Sequence, residues 1–594
     1  ELEKLFCNDA LDVEFAIDHQ GTLYLLQVRP LILNSETSLS NDDHRKLLSE
    51  IENRYIALSK SHPYLLGEKT IFGVMPDWNP AEIVGIRPRP LALSLYKELI
   101  TDGTWAYQRD NYGYRNLRSF PLLVSFSGLP YIDVRISFNS FIPADLKSEL
   151  AERLVNYYLD SLLESPSNHD KVEFEIIYSC YTLDLPESIL ELKKAGFDQD
   201  DCEEISESLR GLTNGIIHSV EGLWKKDIDK LDELKSRQTQ ILSSQLAHVE
   251  KIYWLLEDCK RYGTLPFAGL ARAGFIAVQL LQSMVRVGVL TSNEYERFMA
   301  SLNTVSSNMQ TDLGQGKDRF LKKYGHLRPG TYNILSPRYD ESPDLYFDWE
   351  NSYCSKGETS RVPFTLSLET MKYLEELLIE HRLEHNVLSL FDFIKRAIEG
   401  REYAKFIFTK SLSDTLLLIK QLGKEHDIDL DDLSYVDITF IKKLYSSCEN
   451  IKESMLASIE DGKQKYSNTC ALTLPPLITC KEEISSFELP KNEPNYITLK
   501  AVQGKVVLEN SLKKDLYGNI LMIQSADPGY DWIFSHGIGG FITMYGGANS
   551  HMAIRAAELG IPAVIGVGEV LYQQWVKSNT LEVDCSNKKV HIIR

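Results

Sequence analysis

A histidine stands where an anion would be welcome in the stretch MYGGANSHMAIRAAELGIPAVIG, residues 544–566. Ser550 suits the N-cap of a helix predicted over 551–559, and Gly560 suits the position just past its end. His551 then falls in the first helical turn, where unpaired backbone N–H groups and the positive end of the dipole favour negative charge. A phosphoryl group carried on its imidazole would be stabilised there, and Gly546 and Gly547 leave room for a bulky group to approach the backbone. The same local physics also admits a solvent-facing histidine on a capped helix. His536, in IFSHGIGG, is a competing histidine read as a loop residue.

Further polar groups cluster on irregular backbone. YGHLRPG offers His326 and Arg328 beside a Pro-Gly turn, and SPRYDESP offers Arg338, Asp340 and Glu341. Such loops suit acceptor binding and general-base work, since an alcohol attacking a phosphoryl group must lose a proton. A salt-bridged structural turn accounts for them equally well. Arg87, Arg89, Arg109 and Arg115 lie among aromatic residues. They fit either a pocket for a phosphorylated or aromatic ligand, or an aromatic core with snorkelling arginines.

The elements that must position these residues form several domains, because 594 residues exceed a single core. Two strands are predicted within 11–33, where apolar and polar residues alternate around His19-Gln20-Gly21, and such a hairpin needs a larger sheet for stability. A polar linker and a helix follow over 34–70. The stretch 71–145 is mixed, and 146–465 is mainly helical by period, with FAGLARAGFIAVQLLQSMV read as a core helix. A polar, Pro-bearing break at 481–495 reads as a linker, after which short strands alternate with helices.

With 43% hydrophobic and 25% charged residues the chain is globular in composition, and its net charge of −20 disfavours nucleic acid and anionic membranes as partners. Nine scattered cysteines without a C-x-x-C pair argue against a disulfide framework or a structural zinc site, which points to a reducing, cytoplasmic setting. No apolar run of the roughly 18–20 residues needed to span a bilayer is evident. The chain starts at Glu1 rather than at a methionine, which reads as a fragment or a processed product.

The run Gly546–Gly566 resembles the mobile phosphohistidine domain of the phosphoenolpyruvate-utilising enzymes, whose pattern is G-G-x-x-S-H-x-A-I-x-A-R-E-L-G-I-P-A-V-x-G. Asn549 replaces a common Thr and Ala557 a common Arg, both beside the histidine rather than on it. The resemblance implies that His551 carries the phosphoryl group, with Ser550, Gly546 and Gly547 around it. DVEFAIDHQGTLYLLQVRP resembles the last strands of the ATP-grasp nucleotide-binding domain of the same enzymes. It implies that Glu14 binds the magnesium on the nucleotide phosphates and that Gln27 and Arg29 contact the transferring phosphates.

The resulting expectation is a multidomain α/β protein. Residues 1–33 would be the C-terminal end of an ATP-grasp domain, 34–70 a linker and helix, and 71–480 a mainly helical, acceptor-binding central domain. Residues 481–495 would be a hinge linker and 496–594 a swivelling β/β/α phosphohistidine domain. This order is most similar to the rifampicin phosphotransferase group, to which 320–346 also bears a looser likeness, with Thr331 in place of a Glu and Tyr339 of a Trp. The implied activity is that of a dikinase-type phosphotransferase. It would move a phosphoryl group from ATP, with Mg2+, through phosphohistidine to a small hydroxyl acceptor, giving AMP and phosphate. The rest of the ATP-grasp part is expected in the same longer polypeptide. Alternatives are an enzyme like phosphoenolpyruvate synthase, disfavoured because no barrel follows His551, and a non-catalytic phosphocarrier or regulatory protein.

Overall fold

The computed structural model describes residues 11–17, 22–30, 39–347, 349, 364–447, 450–487, 494–509, 511, 513–547 and 550–593. Strands β1 (Leu11–Ile17) and β2 (Leu23–Pro30) form the expected antiparallel hairpin, bulged between Glu14 and Phe15. Its register sets Glu14 opposite Gln27 and Asp12 opposite Arg29. The side chains of Glu14, Gln27 and Arg29 lie outside the described residues.

Helices dominate the centre. Helix α1 (Asn41–Leu58) is capped by Ser40, whose side chain accepts from the Asp43 N–H. Helices α2 (Thr104–Asn111), α3 (Leu265–Arg286), α4 (Val305–Leu313) and α5 (Val387–Glu425) bear on the site described below. The core helix read from FAGLARAGFIAVQLLQSMV is α3, with Leu270, Ala273, Ile276, Ala277, Leu280 and Leu281 buried at helical spacing. It packs along α5, a 39-residue helix whose Leu412, Leu416 and Ile419 are equally buried. The run His248–Arg286 has the length and apolarity of a membrane span, but its most apolar window is 72% buried inside the protein, as in a core element.

A four-stranded antiparallel sheet is set into this helical body. Its order is β4 (Leu123–Phe126), β5 (Leu129–Asp133), β3 (Phe72–Gly73), β6 (Leu477–Ile478). Because β6 pairs with β3, chain near residue 478 is tied to chain near residue 72. Helix α1 joins this sheet's core through Ile51 and Tyr55, the latter donating from its hydroxyl to the Thr479 carbonyl at 2.9 Å.

The C-terminal part holds a seven-stranded sheet, ordered β13 (Lys589–Ile592), β12 (Thr580–Asp584), β8 (Ala501–Leu508), β9 (Ile520–Ser525), β10 (Gly540–Tyr545), β11 (Ala563–Ile565), β7 (Asn495–Ile497). The middle four strands are parallel and the flanking ones antiparallel. Ile520, Leu521, Met522 and Ile523 are all buried, the continuous apolar run expected of a strand covered on both faces. Helix α6 (His551–Leu559) is the crossover between β10 and β11. One core unites this sheet with residues 305–349: Phe320, Tyr324, Tyr339, Tyr346 and Phe347 pack with Tyr530, Trp532, Ile533 and Phe534.

Candidate functional site

Local sequence builds the start of α6 as read. Ser550 is the N-cap, its hydroxyl accepting from the Ala553 N–H at 3.2 Å, and Gly560 ends the helix in the left-handed region at φ 62°. Gly546 adopts φ 141°, and a Cβ there would stand 2.7 Å from that of Ala526, so only glycine fits the turn out of β10. His551 therefore leaves the first turn of α6 at a fixed angle.

That angle carries it into the central helical body. Its Nε2 lies 2.8 Å from Oδ1 of Asp531 and 3.3 Å from the Ser306 hydroxyl, and its Nδ1 lies 3.1 Å from Oε2 of Glu402. Asp531 belongs to the Pro528–His536 turn of the C-terminal part, Ser306 to α4 and Glu402 to α5. Ser306 also donates to Asp531 at 2.9 Å, and Arg555, one turn beyond His551, stands 4.0 Å from the same carboxylate. The imidazole is 9% exposed, and the Asp531 and Glu402 side chains 6% and 17%. Burial opposes a charge on His551, but Asp531 and Glu402 overcome it and push its pKa up to about 10. Burial alone would raise Glu402; the imidazolium overrides it and draws that carboxyl down to about 2. The site is thus an imidazolium held between two carboxylates, one from each part of the molecule.

His551 opens onto a cavity of about 180 Å³. Glu402, Lys405, Asp527 and Glu82 line the cavity with the histidine; Trp78, Gln108, Arg109 and Tyr332 line it as well. Glu82 is 6% exposed and takes a hydrogen bond from Asn79 at 3.4 Å. Burial raises its carboxyl to about 6, against the opposing pull of Lys405. Asp527 is also raised by burial, and Thr331 donates to it at 3.1 Å.

The residues singled out in the sequence separate into two groups. His551, Ser550, Gly547 and Arg109 line this cavity, and Gly546 shapes the turn beside it. His326 and Arg328 line a small side cavity that also reaches His551, but most of their polar atoms are engaged within the fold. His326 Nε2 faces the Phe406 carbonyl at 3.2 Å, and burial holds its pKa down at about 3. Arg328 donates to the carbonyls of Asn333 and Ser336. Arg338 is paired with Asp340 and Asp414, each at 2.7 Å. Arg87 and Arg89 line a different crevice, and Arg115 donates to the Tyr64 carbonyl. His536 is buried in a helical turn, with Nε2 2.7 Å from the Tyr346 carbonyl. Asp531, Glu402, Lys405, Glu82 and Ser306 were not singled out from the sequence. Among the described residues, no group of three or more His, Cys, Asp or Glu side chains could hold a metal ion.

Contact between the two parts is close at Gly529. A Cβ there would stand 2.0 Å from the Arg328 carbonyl oxygen and 2.6 Å from its carbon, backbone that cannot swing aside. Gly529→Ala is therefore expected to separate the parts and uncover His551. Carbethoxylation of His551 by diethyl pyrocarbonate, read by peptide mass spectrometry, should be slow in the parent and at least about tenfold faster in the variant, a factor that matches about 1.4 kcal/mol of lost docking. Equal rates would count against this interface.

Comparison with known proteins identifies the C-terminal part. Residues 517–588 match the family described as PEP-utilising enzyme, mobile domain. Rifampicin phosphotransferase of Bacillus cereus is 27% identical over 277 residues, 42% of this chain and 31% of that protein. Rifampicin phosphotransferase of Streptomyces sviceus is 22% identical over 307 residues, 47% of this chain and 34% of its own length. Phosphoenolpyruvate synthase of Aeropyrum pernix is 38% identical over 69 residues, 11% of this chain and 8% of its own. The chain thus spans about a third of the length of the first two relatives. The resemblance drawn from the GGANSH stretch holds for the C-terminal part, and the relatives are two rifampicin phosphotransferases and a phosphoenolpyruvate synthase.

Proposed function

We propose that this chain is the acceptor-side portion of a dikinase-type phosphotransferase. A phosphoryl group derived from ATP resides on His551 and passes to a small hydroxyl compound in the adjoining cavity, with AMP and phosphate as the other products. The observation that carries this reading is His551 clamped at a cavity of the helical body rather than facing solvent. The magnesium ion implied by the family would neutralise phosphate charge during loading of the histidine. Among the described residues no cluster fits it, and Glu14 is the position the resemblance assigns to it. The rest of an ATP-grasp domain belongs, in this reading, to the same longer polypeptide. Exposed Ile17, Leu23, Tyr24 and Leu25 on the hairpin support that, since such a ribbon is marginal without a larger sheet. Free, buried thiols at Cys180, Cys202, Cys259 and Cys585 suit a cytoplasmic setting.

Two of the cavity's carboxylates, Glu402 and Glu82, have opposite environments, which divides acid–base roles between them. Glu402 keeps a negative charge and orients the imidazole. Glu82, tuned to about 6, takes the proton of the acceptor hydroxyl as its oxygen attacks phosphorus. The N–P bond breaks, its electron pair returns to the imidazole nitrogen, and the proton taken by Glu82 is given back by way of solvent to the ring, which holds it between Asp531 and Glu402. Lys405, in the same cavity wall, supplies positive charge for the phosphoryl oxygens.

The test needs no nucleotide. The chain is charged with phosphoramidate, a small N-phosphoryl donor, and offered hydroxyl compounds, rifampicin among them. Loss of acid-labile phosphate from protein, matched by an acid-stable phosphoester on a small molecule, is the expected result. Discharge only to water or to another protein would sink this reading and favour the phosphocarrier alternative.

A further inference from the structure

The cavity beside His551 holds a second group of polar atoms with no role in the transfer just described. Gln108 Nε2, Arg109 Nη1, Trp78 Nε1 and the Tyr332 hydroxyl are buried and have no hydrogen-bond partner among the described residues. All four residues line the cavity, and Gln108, Arg109 and Tyr332 are 2%, 5% and 3% exposed. An unsatisfied buried donor costs on the order of 1–3 kcal/mol, so several converging on one cavity point to a ligand that satisfies them.

Backbone strain fixes part of this group. Trp78 and Asn79 are consecutive non-glycine residues in the left-handed region, at φ 54° and 41°. The Tyr96 hydroxyl donates to the Trp78 carbonyl at 2.5 Å, holding that turn. The indole packs edge-on against Phe267 at 6.0 Å, and Tyr332 packs edge-on against Tyr96 at 5.5 Å. The walls are thus aromatic and the free polar atoms are almost all donors, a match for oxygen acceptors on a flat or apolar body.

Charge decides what kind of oxygen. Arg109 Nη2 is already paired with Asp77 at 3.4 Å, and Arg272 with Glu173. Asp77 in turn accepts from the Ser137 hydroxyl at 2.9 Å. Arg109 and Arg272, the guanidiniums beside these donors, each have their own carboxylate, so neither brings surplus positive charge to this end of the cavity, whereas Lys405 and Arg401 lie in the wall shared with Glu402. At roughly 10–15 Å³ for each water-sized group, a cavity of about 180 Å³ has room for on the order of a dozen such groups.

We infer that Trp78, Gln108, Arg109 and Tyr332 form a recognition subsite for a neutral carbonyl group, such as a carboxamide, on a small aromatic acceptor whose hydroxyl faces His551. This rests on the acceptor reading of the cavity, but binding tests it without any phosphoryl transfer. The probes are 4-(hydroxymethyl)benzamide, 4-(hydroxymethyl)benzoate and 4-methylbenzyl alcohol, titrated by calorimetry into the full chain and its variants. The amide should bind at least about tenfold tighter than either companion, the range expected when a site built for hydrogen bonding meets an analogue lacking the group. Tyr332→Phe, which removes one oxygen, and Gln108→Leu should each weaken the amide several-fold and leave the methyl compound unchanged. Tightest binding of the benzoate, equal binding of all three, no binding of any, or equal losses for amide and methyl compound in the variants would each overturn the subsite. If the amide preference holds but phosphate discharge fails, the subsite stands and the transfer reading falls.

Discussion

His551→Ala takes up no acid-labile, alkali-stable phosphate from phosphoramidate under conditions in which the parent chain gains one phosphoryl group by intact mass. The effect is expected to be all or none because the two other buried histidines near the seam, His326 and His536, are engaged by carbonyls. His326 is 4% exposed, its Nε2 faces a carbonyl, and its environment contains Arg338, Lys410 and Arg328 rather than carboxylates. His536 is 7% exposed and likewise engaged by a carbonyl. Alanine at either position should lower stability and leave phosphate uptake in place. A parent-like mass gain in His551→Ala would remove the foundation of the proposed function. The docked imidazolium has no free electron pair to attack phosphorus, so uptake by the parent should also rise with pH as that proton is lost.

The second large effect concerns Glu402, which contributes one of the two carboxylates around a buried cation. Breaking a buried pair costs roughly 3–5 kcal/mol; because Asp531 remains, Glu402→Gln should cost about 3 kcal/mol, the low end of that range. The pH dependence gives it a signature. His551 is raised from an ordinary 6.5 to about 10, so its contribution is fully present below pH 6.5 and is lost as pH rises through 10. Glu402 is lowered from 4.5 to about 2, so its contribution is present above pH 4.5 and is lost as pH falls through 2. Urea unfolding between pH 6.5 and 10 should show the parent losing stability steadily. Glu402→Gln should start lower and change less. Parallel curves would mean that the histidine is not held as a cation by this pair.

These contrasts mark what the sequence made legible. His551, its cap Ser550 and the stop at Gly560 were readable because a helix start is local: the capping donor is three residues from its acceptor. The carboxylates that set its charge were not. Asp531 lies 20 residues away and Glu402 149 residues away, and within α5 the run Arg401-Glu402-Tyr403-Ala404-Lys405 reads like any solvated charged face. His326, Arg328 and Arg338 showed the opposite problem, since polar residues on a Pro-Gly loop suit a ligand or a fold equally. Here their side chains meet a carbonyl, a hydroxyl and a carboxylate of α5, at Phe406, Ser413 and Asp414, that hold the loop against that helix. The sheet β4-β5-β3-β6 was hidden because two of its strands are two residues long and buried on both faces, which leaves no alternation to detect. The hairpin β1–β2 was legible from its alternation alone.

The core shared by residues 305–349 and the C-terminal sheet has a mechanical consequence. A histidine serving two distant sites must travel, and the aromatic seam of Phe320, Tyr324, Tyr346 and Phe347 against Tyr530, Trp532 and Phe534 must either be wetted or go along. Wetting is steep: at roughly 25 cal/mol per Å², uncovering a few hundred Å² costs on the order of 5–10 kcal/mol. If the seam instead stays dry, the moving body includes 305–349 and is anchored to the remainder by three passages of chain instead of one. A single tether permits tumbling in any direction. Three tethers narrow the directions open to it, so in the proposed transfer the excursion of His551 would come closer to the swing of a door, with an arc set by where those passages lie.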